Sequence, residues 1–182
     1  MEPVSTRLFK IVESAERLNA PVANALLGAM LRIASPFNAP LRAAVETWKP
    51  HVCRVRIRNR RALHNHLGGV HAGALVTAGE TPAGLLILKS FPFSRYRLIL
   101  KGLSVEYGRQ AHTDVVAEAK LPDEQLLEAQ QALRDGRPAL LNLETVLSEP
   151  SGARLATVRS QWQVKEWSKV RGADGKRDGA GG

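Results

Sequence analysis

Between His71 and Lys89 the sequence reads A-G-A-L-V-T-A-G-E-T-P-A-G-L-L-I-L, and Glu80 is its only ionisable side chain. An apolar segment with no polar face has to be enclosed by the rest of the chain, so this stretch dictates a fold built around it. A carboxylate placed there costs several kcal/mol unless it is paired, or else it gives up its ionisation. Glu80 therefore calls for either a buried partner or a chemical task. The stretch falls short of the roughly 20 residues that span a bilayer, and no other apolar run approaches that length, so no transmembrane segment is expected.

The flanking sequence supplies the enclosure. Val55 and Ile57 alternate with Arg54, Arg56, Arg58 and Arg60, which predicts a strand with one buried and one strongly basic face. Arg95 to Tyr107 reads as a long strand whose apolar parity changes at Lys101-Gly102, where a glycine bulge would return one face to the core. Val115, Ala117, Ala119 and Leu121 alternate, as do Leu141, Leu143, Thr145 and Leu147. Ala156, Val158, Trp162 and Val164 share a face of a last strand over about 153–167. Residues 122–135 read as a surface helix or turn-rich connector ending at Gly136. Before all of these, Leu8, Ile11, Val12, Ala15 and Leu18 form a helical stripe. Pro21 then opens a second helix that is apolar nearly all round from Val22 to Ile33 and is expected to pack over the domain. Helices, a strand, a loop, a buried helix and four further strands imply an α+β fold, with an antiparallel sheet wrapped around one central helix. The expected organisation is an N-terminal helical extension over 1–40, one α+β domain over 41–168, and a disordered basic, glycine-rich tail over 169–182.

Charge and cysteine content narrow the partners. The 182 residues carry 26 basic and 17 acidic side chains, a formal charge of +9. That balance suits nucleic acid, an anionic surface or a phosphorylated small molecule, with solubility as the plain alternative. Nucleic acid is not expected, because Arg54 to Arg60 alternate with aliphatic rather than aromatic residues. The single cysteine, Cys53, excludes a disulfide framework and fits a reducing cytosol. Charges near the N-terminus make a poor signal peptide, so a cytoplasmic protein is expected.

Three histidines, His64, His66 and His71, precede the apolar segment on an Asn- and Gly-containing loop. Their spacing meets no metal motif and the glycines form no nucleotide-binding fingerprint, so neither a metal nor a separate cofactor is expected. If a helix begins near Ala72, the amides of Ala72 and Gly73 are first-turn donors without intrahelical partners, placed where an oxyanion would be stabilised. Glu80 would share a face with Gly73, Val76, Thr77 and Gly84, whose small side chains leave room for a substrate. An arginine from a neighbouring strand is the competing explanation for Glu80.

The pattern Asn65-x-x-Gly68-x-x-His71-Ala72-Gly73, with an acid nine positions after the histidine, resembles the hot-dog thioesterases of the phenylacetate-degradation type. The wording N-H-L-G-G-V-H-A-G-A-L and the later G-L-S-V-E-Y look closer still to an uncharacterised hot-dog family within that superfamily, a domain of unknown function. The resemblance covers roughly residues 40–167 and implies a hot-dog domain, homodimeric or homotetrameric, with sites at the subunit interface. It implies hydrolysis of an acyl-coenzyme A or acyl carrier protein thioester, the coenzyme A moiety entering as part of the substrate. Glu80 matches the catalytic acid, as nucleophile or general base. The amide of Ala72, with Gly73 beside it, matches the group that polarises the carbonyl. Asn65 and His71 match residues that orient water or carbonyl. Gly68, Thr77 and Gly84 fall among the substrate contacts, and Arg109, in the G-R-Q-A-H-T-D run near which coenzyme A binds, matches a phosphate contact. Two positions depart from the pattern: H-A-G stands where H-G-G is common, and Glu where this branch mostly has Asp. The alternative is a hot-dog module that binds an acyl ligand without turnover.

Overall fold

Each alternating stretch becomes a strand because its apolar parity has one face to bury, and the computed structural model describes this for residues 11, 12, 14–16 and 19–170. The strands are β1 (Ala44–Lys49), β2 (Val52–Ile57), β3 (Tyr96–Tyr107), β4 (Val115–Lys120), β5 (Ala139–Ser148) and β6 (Arg154–Glu166). They form one sheet in the order β1-β2-β4-β5-β6-β3, and every neighbouring pair is antiparallel. The α-helices that follow Asn19 among the described residues are α1 (Ala20–Ala34), α2 (Ala72–Ser90) and α3 (Asp123–Arg134). The architecture is α+β, as the alternation implies.

Helix α2 is the apolar segment, and it lies against β2, β4, β5 and β6. Its 19 residues span about 28 Å. Leu75, Ala78, Ala83, Leu86 and Ile87 are buried against Val55, Ala117, Leu147 and Val158 in the common core. Gly79 is where the helix comes closest to the sheet: a Cβ built there would stand 2.4 Å from Val158 Cγ2. The helix runs unbroken through Pro82, whose ring is itself buried. Trp48 of β1 fastens it from the far edge by donating its indole N–H to the Leu85 carbonyl at 2.9 Å.

Strand β3 pairs with β6 along one side, and the register slips between Leu100 and Gly102, the bulge expected from the parity change. Leu98, Leu100, Leu103 and Val105 thereby all pack toward the core, yet remain only half-buried. The other side of this 12-residue strand has no sheet neighbour among the described residues. At the N-terminal end of β5, where β4 has stopped, α3 takes over, and Gln125 accepts the free Asn142 amide.

Three expectations need correction. A strand, β1, precedes β2 and was not apparent in the sequence. Its register shift between Val45 and Thr47 breaks the period-2 pattern, so Val45 and Trp48 are the buried pair. Helix α1, capped by Asn19 and carrying Pro21 in its first turn, is not enclosed all round. It buries Ala23, Leu27 and Met30, while Val22, Leu26 and Ile33 are exposed. The basic face of β2 is offset by neighbours: Glu46 of β1 pairs with Arg54 at 3.1 Å and also with Arg56, and Glu118 of β4 lies 3.9 Å from Arg54. Leu8 and Leu18 of the first stripe, and all but the start of the tail, lie outside the described residues. Among the described residues no helix is long and apolar enough to cross a membrane.

Candidate active site

The loop before α2 is shaped by the side chain of Asn65. Its Oδ1 accepts the amides of Leu67 (2.9 Å) and Gly69 (3.2 Å), closing a tight Asx-type turn. Gly68 takes the left-handed conformation (φ 77°) that this turn requires. The Oδ1 atom is thus committed to the loop, and Nδ2 is the part of Asn65 that can donate outward. The loop docks on residues 108–114 through Val70 N–H to the Ala111 carbonyl (2.8 Å) and through Asn59, which bonds both the His112 carbonyl and Asp114. The run containing Arg109 is therefore beside the α2 N-terminus, and Arg109 itself is exposed.

His71 is the N-cap of α2. Its Nδ1 accepts the Gly73 amide at 2.9 Å, so a neutral ring carries its proton on Nε2. Of the two amides singled out above, that of Gly73 is occupied by the cap. The Ala72 amide donates to no group among the described residues, and residues 71–73 are exposed. Thr77 is buried, and its hydroxyl donates to the Gly73 carbonyl at 2.9 Å. Histidines do not converge here: His64 bonds Asn59, and among the described residues no group of three or more His, Cys, Asp or Glu could hold a metal ion.

Glu80 is half-buried, two turns further along. Among the described residues it makes no ion pair or hydrogen bond, so the arginine explanation does not apply. Burial pushes its carboxyl above the usual carboxylate range. It lies on the wall of a cavity of about 330 Å³, together with Thr81, Gly84, Leu85 and Leu88 of α2. Helix α1 provides another wall through Met30, Leu31 and Ala34, and Phe93, Leu98 and Trp162 complete it with Ser35 and Asn38. Sequence reasoning placed Thr77 and Gly84 beside Glu80, and Gly84 does share its cavity. The α1, β3 and β6 walls were not found, because only the folded chain brings them together.

One distance governs the chemistry. Ala72 and Glu80 are eight residues apart on a continuous helix, hence about 12 Å along its axis. The amide and the carboxylate are therefore too far apart to touch the same carbonyl group directly within one chain. The exposed amide and the carboxylate stand about two helical turns apart on α2.

The profile of a domain of unknown function, DUF4442, matches residues 23–167. No curated protein matches the sequence. Among solved structures, a Pseudomonas aeruginosa protein of unknown function, named a probable thioesterase, is 29% identical with a TM-score of 0.69, over 77% of this chain and 94% of that one. A second Pseudomonas aeruginosa structure, a thioesterase mutant, is 15% identical with a TM-score of 0.62, covering 78% of this chain and 94% of its own. A mutant thioesterase from Staphylococcus aureus is 11% identical with a TM-score of 0.60, over 72% and 99%. Their shared architecture is the hot-dog fold.

Proposed function

Since the chain belongs to the DUF4442 family and has the hot-dog fold, we propose that it is a thioester hydrolase acting on acyl groups carried by coenzyme A or by an acyl carrier protein. The observation that carries this reading is Glu80, a carboxylate without a partner among the described residues and of raised proton affinity, on the wall of a largely apolar cavity. A carboxylate in that state is a stronger base than one in water, which suits abstraction of a proton from an attacking water. The water oxygen adds to the thioester carbonyl carbon and its proton passes to Glu80. The Ala72 amide, at the positive end of the α2 dipole, receives the developing oxyanion. Collapse breaks the carbon–sulfur bond, and the thiolate takes up the proton held by Glu80. Asn65 Nδ2 and the Nε2–H of His71 are placed near the helix start to orient water or carbonyl.

The separation of about 12 Å favours a site that takes Glu80 from one copy and Ala72 from another. Strand β3 supports a second copy: a long unpaired edge with half-buried leucines is a template for antiparallel pairing, which would join two sheets into one. The homodimer is the minimal active unit in this reading, and a tetramer would be two such dimers. Arg58, Arg61 and Arg109 form no ion pair among the described residues, and all belong to or flank the two docked loops at the helix start. They would meet the phosphates of coenzyme A.

The test is release of free thiol from a panel of acyl-coenzyme A esters and acyl carrier protein thioesters, against matched oxygen esters. Thiol release, with oxygen esters poorer, supports the reading. Tight binding of the esters without release by any of them would favour the non-catalytic acyl-binding module.

A further inference from the structure

We infer that the cavity beside Glu80 is a measuring pocket for a linear, saturated acyl chain of medium length, about eight to ten carbons, and that helix α1 sets its limit. This rests on the thioesterase reading and goes beyond it by naming the acyl class and the element that selects it.

The length follows from the helix. The cavity follows one stripe of α2 from Glu80 through Gly84 to Leu88, eight residues or about 12 Å. Carbon–carbon bonds of ~1.5 Å meeting at ~111° advance an extended chain by ~1.25 Å per carbon, so that stripe accommodates about eight to ten carbons. At Gly84 the stripe has no side chain and the Trp162 ring lies against the helix, 3.2 Å from where a Cβ would stand, so the indole forms the cavity wall there. An acyl chain thus has a flat indole and the leucines 31, 85, 88 and 98 to lie against.

The chemistry of the walls selects a plain hydrocarbon. The Thr81 hydroxyl already donates to the Thr77 carbonyl at 2.7 Å, and the Trp162 N–H to Ser160 at 3.0 Å. Neither donor is open to a hydroxylated substrate, and burying an unmatched hydroxyl is unfavourable. Besides Glu80 at the reacting end, Ser35 and Asn38 are the remaining polar side chains among the described lining residues, both in the turn after α1.

Helix α1 is the adjustable wall. Met30, Leu31 and Ala34 face the cavity from a helix that is not part of the sheet and whose opposite side is exposed. Ala34 is its last residue and is itself exposed, so a larger side chain there enters the cavity without disturbing the core.

The experiment compares two readouts across straight-chain acyl-coenzyme A esters of two to sixteen carbons. The wild type is assayed for kcat/KM, and the Glu80→Gln protein is titrated calorimetrically with the same intact esters. We expect affinity and kcat/KM to rise about four-fold per added methylene and to level off near eight to ten carbons. Ala34→Trp should move that break several carbons shorter. Leu31→Ala should move it longer. A flat profile, a continued rise to sixteen carbons, or a break that neither substitution moves would overturn the inference while hydrolysis itself stands. Length-dependent binding with the expected break but no hydrolysis would remove the enzymatic reading and leave the pocket assignment intact.

Discussion

The shared-site geometry makes a quantitative demand on mixed dimers. Ala72→Pro deletes the one N–H proposed for the oxyanion, and it does so at the first helical position, where proline is tolerated. His71 already has the extended backbone (φ −62°, ψ 140°) favoured before proline, so α2 is expected to form normally. Loss of one such donor lowers kcat about 10²–10³-fold, and Glu80→Gln lowers it about 10²–10⁴-fold. Each variant alone is therefore nearly inert. In a 1:1 mixture of the two, refolded together, half of the dimers are mixed. If each site draws on both copies, every mixed dimer has one doubly defective site and one intact site, and the mixture recovers about a quarter of wild-type activity. If each site lay within one chain, no intact site could arise and activity would stay at about 1% or below. The assay is steady-state thiol release before and after co-refolding, with exchange verified by differently tagged chains. Absence of recovery despite verified exchange would refute the division of the site between copies.

Further outcomes follow from the same structure. Because burial raises the Glu80 pKa, the folded state holds more protons than the unfolded one between about pH 4.3 and the raised value. Stability is therefore lost as pH rises through that window, so Glu80→Gln should raise Tm at neutral pH and give no advantage below the window. Wild-type kcat should fall as pH drops through the raised value. Gly79→Ala should destabilise by up to about 2 kcal/mol, an overpacking cost of about 1–3 kcal/mol less a helix-propensity gain of about 1 kcal/mol. Thermal denaturation should show Val158→Ala partly rescuing it, since the added methyl meets Val158. Leu103→Glu puts a charge on the half-buried face of β3 that a second copy is proposed to cover. Size-exclusion chromatography should then show a shift toward monomer with loss of thiol release; an unchanged dimer would exclude β3 pairing.

The parts legible in the sequence were those governed by local periodicity. The parity change in 96–107 was enough to place the bulge at Gly102, and the apolar run with one acid was enough to identify the central helix. Strand β1 escaped because a bulge between its two buried residues erases the alternation. The β2 arginines read as a free basic face because Glu46 and Glu118, which pair with them, come from two other strands. At the site, the lack of a buried arginine beside Glu80 was one of two outcomes left open, and only coordinates choose between them. That His71 caps its own helix and occupies the Gly73 amide depends on a side-chain rotamer, which no spacing rule reveals. The α1 wall of the cavity is a contact between distant segments.

The central claim is that the Glu80 carboxylate performs the chemistry at a bound thioester. Its most direct measurement is single-turnover hydrolysis of a medium-chain acyl-coenzyme A ester by wild type and by Glu80→Gln, at saturating enzyme and neutral pH. The account predicts a rate lower by about 10²–10⁴-fold in the variant, with ester affinity retained. Equal single-turnover rates in the two proteins would contradict it.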